Sequence, residues 1–66
     1  MDLTDNQGNR VYFKTADAAG AVLRAHGFIP FGGTGSWTKW DELFGWCEAD
    51  IRFNGAGYFV QMTIRN

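Results

Sequence analysis

The sequence predicts a small α+β domain: an antiparallel sheet with one helix packed on one of its faces, in the order β-α-β-β-β. Three observations carry the prediction. Only residues 15–26, T-A-D-A-A-G-A-V-L-R-A-H, have a helical period. Residues 46–53 alternate in polarity, as a strand with one buried face does. Asn54-Gly55 follows as a hairpin signal, since both residue types accept positive φ, and residues 58–65 return from it.

The helix has a start and a stop. Thr15 is placed as N-cap, its hydroxyl accepting from a free backbone N–H of the first turn. Asp17 puts negative charge at the positive end of the helix dipole. Ala18, Ala19, Val22, Leu23 and His26 follow the spacing of a buried stripe, with Asp17, Gly20, Ala21 and Arg24 on the opposite side. Gly27 can take the left-handed conformation that ends a helix, which would bring Phe28 onto Leu23. A helix this short is marginal alone in water and needs a sheet to lean on.

The strands follow from composition and punctuation. Residues 1–9 are polar, expected to be loose or to hold a short edge strand beginning near Leu3, with Asp5-Asn6-Gln7-Gly8-Asn9 as a turn cluster. Arg10-Val11-Tyr12-Phe13-Lys14 reads as the first strand. Pro30 cannot donate to a ladder, which places Phe28-Ile29-Pro30-Phe31 at a strand start or sheet edge. Gly32-Gly33-Thr34-Gly35 reads as a turn, and Ser36-Trp37-Thr38-Lys39-Trp40 as a strand whose faces stay open, because its two tryptophans differ in parity. Asp41-Glu42-Leu43-Phe44-Gly45 is a loop. In the closing hairpin, Cys47, Ala49, Ile51 and Phe53 share the inner face with Tyr58, Val60, Met62 and Ile64. This holds whether a two-residue loop pairs Phe53 with Ala56 or a four-residue loop pairs it with Tyr58.

Sixty-six residues make one domain, residues 1–66. A chain of this size buries only about 60% of the surface it exposes when unfolded. One cysteine allows no internal disulfide, so the core rests on large side chains, among them six Phe, three Trp and two Tyr. Six Lys+Arg against seven Asp+Glu give a net charge of −1, without the basic excess of a typical nucleic-acid binder. The acidic start Met1-Asp2-Leu3-Thr4-Asp5 is unlike a signal peptide, and no apolar run reaches the roughly 18–20 residues of a membrane span. With a single thiol, a reducing, cytoplasmic location is expected.

No constellation specifies a reaction. Cys47 and His26 are the sole thiol and imidazole. A nucleophile needs a base within hydrogen-bond reach, but a buried small cysteine and a helix-end histidine account for both. Two such ligands do not complete a zinc site, and neither metal nor cofactor is expected. Gly32-Gly33-Thr34-Gly35-Ser36 lacks the lysine and following helix of a phosphate loop. Gly55 to Met62 faintly echoes an RNA-recognition motif, but Tyr58 and Phe59 are adjacent and so point to opposite faces, whereas base stacking needs two aromatics on one face. An enzyme is therefore not expected.

One helix covers one side of the sheet. The uncovered side is expected to carry Trp46 and Phe59, with Trp37 or Trp40, beside Asp41, Glu42, Glu48 and Asp50. Exposed aromatics next to fixed charges suit a protein-binding patch. The candidate partner-binding residues are thus Trp46, Glu48, Asp50, Phe59, Asp41, Glu42 and Trp37.

The strand Val11-Tyr12-Phe13, the helix T-A-D-A-A-G-A-V-L-R-A-H-G-F, the W-T-K-W strand and the closing hairpin together resemble short phage-encoded single-domain proteins, including anti-CRISPR inhibitors. The resemblance is one of overall pattern over most of the chain, and no family residue carries over by position. It implies a non-enzymatic inhibitor, cytosolic in the host, that docks on a nuclease complex such as a CRISPR effector through acidic groups in a nucleic-acid groove. Alternatives are a small single-stranded nucleic-acid binder stacking bases on its aromatics, and a structural homodimer closed by the aromatic face. The first reading involves no direct nucleic-acid contact and no membrane, and suits a monomer or a homodimer.

Overall fold

The computed structural model describes residues 2–32 and 35–65, with the backbone alone at Arg65. The expectations placed on Gly33 and Thr34 as turn residues lie outside the described residues. One helix and a four-stranded antiparallel sheet are present, in the order α-β-β-β-β.

Helix α1 (Ala16–Ala25) begins as its sequence requires, with Thr15 Oγ1 accepting from the Ala18 N–H at 3.1 Å. It ends in paired bonds: the Gly27 N–H donates to Arg24 O and the Phe28 N–H to Leu23 O, both at 3.0 Å. This is the Schellman arrangement, and it needs the positive φ of 91° at Gly27. Its hydrophobic contact is made as well, because Leu23 and Phe28 are buried in one core cluster with Ala19, Ala49 and Val60.

The strands are β1 (Ile29–Pro30), β2 (Ser36–Asp41), β3 (Gly45–Phe53) and β4 (Tyr58–Arg65), and they lie side by side in chain order. Strand β1 forms an edge, as Pro30 requires. The Phe31 N–H donates to Ser36 O at 2.9 Å. Alternation then turns the Pro30 backbone away from β2, where its missing N–H breaks no ladder bond and offers none to an added strand. Between β3 and β4 the four-residue loop is the one formed, with Phe53 opposite Tyr58. Ala49 pairs with Met62 and Ile51 with Val60, so these four share the helix-facing side.

Three expectations are corrected. Residues 10–14 are not a continuous strand. Arg10 bridges Thr4, Phe13 bridges Tyr58, and Asp2 bridges Gln61. The chain before the helix is a folded arm that shares the free edge of β4 between two short pieces, with the Asp5–Asn9 turn between them. That turn is closed by the Asp5 N–H donating to Asn9 O at 2.8 Å. Second, the buried stripe of α1 is Ala19, Gly20 and Leu23, while Ala18 and His26 are exposed. Third, Trp37 pairs with Ala49 and so faces the helix. Its indole lies against Gly20, where a Cβ would come within 3.0 Å of Trp37 Cζ2. The stripe is rotated toward Gly20 because the bulkiest side chain under the helix needs its smallest residue above it. Arg24 stacks over the same indole, 5.0 Å from the ring centroid.

Candidate functional site

The face of the sheet away from α1 is built from the other parity of each strand. Register sets Trp40 opposite Trp46, Thr38 opposite Glu48, and Ser36 opposite Asp50. Across β4, Glu48 faces Thr63, Asp50 faces Gln61, and Arg52 faces Phe59. This surface has two aromatic corners with a polar centre.

At the first corner, Trp40 and Trp46 meet edge to face, with ring centroids 5.2 Å apart at 74°. That geometry suits the quadrupoles of two rings. The pair stays open, with Trp40 60% and Trp46 53% exposed. The tight loop between β2 and β3 sets this register. Asp41 Oδ1 accepts from the N–H groups of Leu43 at 2.8 Å and Phe44 at 3.0 Å, and Gly45 closes the loop at φ 82°. Those two backbone donors hold the Asp41 carboxyl below the usual carboxylate range. Ile29 on β1 and Phe31 just after it are also exposed; pairing with Thr38 places Ile29 on this same face.

At the polar centre, the Ser36 hydroxyl donates to Asp50 Oδ1 at 2.6 Å. Glu48 lies between this pair and the tryptophans. Both carboxylates are half-buried by neighbouring strands.

The second corner is closed. Phe59 is only 8% exposed. The arm before α1 crosses it: the Arg10 guanidinium sits 4.1 Å from the ring centroid, and Tyr12 meets the ring edge-on at 6.1 Å. Arg10 is held there by Asp2, with Nη2 2.6 Å and Nε 2.9 Å from Oδ2. Tyr12 is held by the hairpin, its hydroxyl accepting from Asn54 Nδ2 at 3.1 Å.

Of the residues singled out from sequence, Trp46, Glu48 and Asp50 share the uncovered face. Three need correction. Phe59 has the right parity but lies under the arm, because Arg10 and Tyr12 pack on its ring. Trp37 faces the helix. Asp41 also has helix-side parity, and its carboxylate serves the loop backbone. Glu42 is exposed in that loop. Trp40 is the residue the candidate set lacked. Its parity is legible only once the loop is known to pair Asp41 with Gly45.

The other face offers a different feature. An open cleft of about 620 Å³ lies between the C-terminal end of α1 and the sheet, and both His26 and Cys47 line it. No hydrogen bond joins these two among the described residues; the Cys47 thiol instead donates to Gly45 O at 3.7 Å. Among the described residues no group of three or more His, Cys, Asp or Glu side chains could hold a metal ion. No helix among them is long and apolar enough to cross a membrane. Comparison of the chain with protein-family profiles, with curated proteins and with solved structures finds no match to any of them.

Proposed function

We propose that the chain is a non-enzymatic protein-binding module that docks its uncovered sheet face on a basic surface of a larger partner. The observation that carries this reading is the open Trp40–Trp46 pair, fixed on two paired strands beside Glu48 and Asp50. Large aromatic side chains are the commonest anchors of protein interfaces. Strand-borne rings lose little freedom on binding, which lowers the cost of association. Two carboxylates next to the anchor favour Lys and Arg on the partner, and they set orientation and encounter rate more than affinity. In its most specific form the module is an anti-CRISPR-type inhibitor that occupies the nucleic-acid groove of an effector complex.

The test compares the wild-type chain with Glu48→Lys/Asp50→Lys and with Trp40→Ala/Trp46→Ala, each immobilised and exposed to purified effector complexes. Wild type should retain an effector and block its DNA binding, and both double variants should lose it with their circular dichroism unchanged. A partner retained equally by all three chains binds elsewhere and removes this face from consideration.

The same two indoles support a second reading, a stacking platform for single-stranded nucleic acid. Quenching of tryptophan fluorescence by an oligonucleotide, steeply weakened by salt, would favour it. The flanking carboxylates argue for the protein partner, since they repel phosphate.

A further inference from the structure

Helix α1 is too short to cover the sheet beneath it. It ends at Ala25, and the cleft of about 620 Å³ opens beneath that end. The volume lies within the roughly 300–1,000 Å³ of small-molecule sites. The walls are mainly apolar, with Leu23, Phe28, Phe44, Cys47, Met62 and Ile64 contributing.

Lys39, His26, Asp41 and Thr63 are the polar lining residues, and Lys39 carries the positive charge. Register with Cys47 puts it on the helix-facing side of β2, between apolar neighbours. Its ammonium donates to His26 O at 3.1 Å and lies 5.2 Å from the Phe28 ring centroid. An ammonium has three donors, and the carbonyl takes one of them. Among the described residues no carboxylate forms an ion pair with it. Asp41 also lines the cleft and Lys39 acts on its charge, but its Oδ1 accepts two backbone N–H groups of its own loop, and it makes no ion pair with the ammonium among the described residues. A cation with donors to spare, at the solvent edge of a mainly apolar trough, complements a ligand with an anionic head and an apolar tail.

We infer that this cleft binds a single-chain alkyl carboxylate of the free fatty-acid type. The alkyl chain lies along Leu23, Met62 and Ile64, and the carboxylate accepts from Lys39 Nζ. The site is on the opposite side of the sheet from Trp40 and Trp46, so it stands independently of the proposed docking face.

The experiment is a titration of the whole chain with dodecanoate below its micelle concentration, followed by amide NMR, with dodecyltrimethylammonium as the matched cation. Dodecanoate should bind saturably and shift the amides of Leu23, Phe28, Lys39, Cys47 and Met62. The cationic surfactant should bind about tenfold or more weakly, in line with the worth of one hydrogen bond to a charged group. Lys39→Gln should abolish that preference. The comparison of head groups on the wild-type chain decides the matter by itself if this variant does not fold. The inference is overturned by absence of saturable dodecanoate binding, by equal or tighter binding of the cation, by shifts centred on Trp40 and Trp46, or by a folded Lys39→Gln variant that keeps the preference.

Discussion

The two aromatic corners of the uncovered face lie on one sheet but have different surroundings. The Phe59 corner is roofed by Arg10 and Tyr12, which are tied in turn to Asp2 and Asn54. At the Trp40–Trp46 corner the two rings meet edge to face and stay more than half exposed. The difference shows where the chain spends its length. The arm before α1 reaches β4 and shields the ring beside it, but β2 lies two strands further away. One corner therefore belongs to the folding of the domain, and the other is available for contact.

Truncating each corner in turn gives the largest expected effect. Phe59→Ala should cost about 3–5 kcal/mol, the range for deleting a buried phenylalanine. Trp46→Ala should cost less, about 1.5–3 kcal/mol, from the aromatic pair and the half of the ring that is buried. Urea unfolding of the two variants measures the gap, and equal losses would mean that the corners do not differ.

A smaller effect tests the tie between arm and hairpin. Gly57 has φ 148°, and a Cβ there would stand 3.0 Å from Phe13 O. Gly57→Ala should therefore cost about 1–3 kcal/mol through strain and push the arm off β4. Faster hydrogen exchange at Phe13 and Tyr58, whose N–H groups donate to each other's carbonyl oxygens at 2.7 and 2.9 Å, would report it. The Trp40–Trp46 corner should be unaffected.

The smallest effect concerns acid. The Asp41 carboxyl has a lowered pKa in the folded chain because two backbone N–H groups favour its charged form. Its contribution is present above the unfolded value, about 3.9 for an aspartate, and is lost as pH falls through the lower folded value. The loop that sets Trp40 against Trp46 should loosen in that window. The exciton signal of the indole pair in circular dichroism should fade there before global unfolding, and an unchanged signal would separate the pair from the loop.

Much of this architecture is legible in the residues. Thr15, Gly27 and Phe28 announce both ends of the helix through bonds made within a few residues. The alternation of residues 46–53 fixes which side of β3 carries Glu48 and Asp50, and either loop at Asn54-Gly55 keeps that assignment. The candidate site is less legible. Period alone places Trp46 and both carboxylates. Trp37 and Trp40 could not be told apart, because parity within β2 depends on how Asp41 and Gly45 pair. Phe59 has the parity of an exposed ring and is covered only because a segment remote in sequence folds over it. Residues 10–14 have the composition of a strand, yet the edge of β4 is divided between Phe13 and the Asp2-Leu3 piece.

What the sequence determined by itself is whatever a few neighbouring residues can decide: a capped helix, an alternating strand, a turn. These depend on local backbone bonds and on the side-chain period, which no distant contact alters. The pairing of remote pieces comes from the three-dimensional fold: Trp37 under Gly20, the arm over Phe59, and the open cleft beyond Ala25. Each is set by competition for space among groups far apart along the chain, which local propensity does not encode.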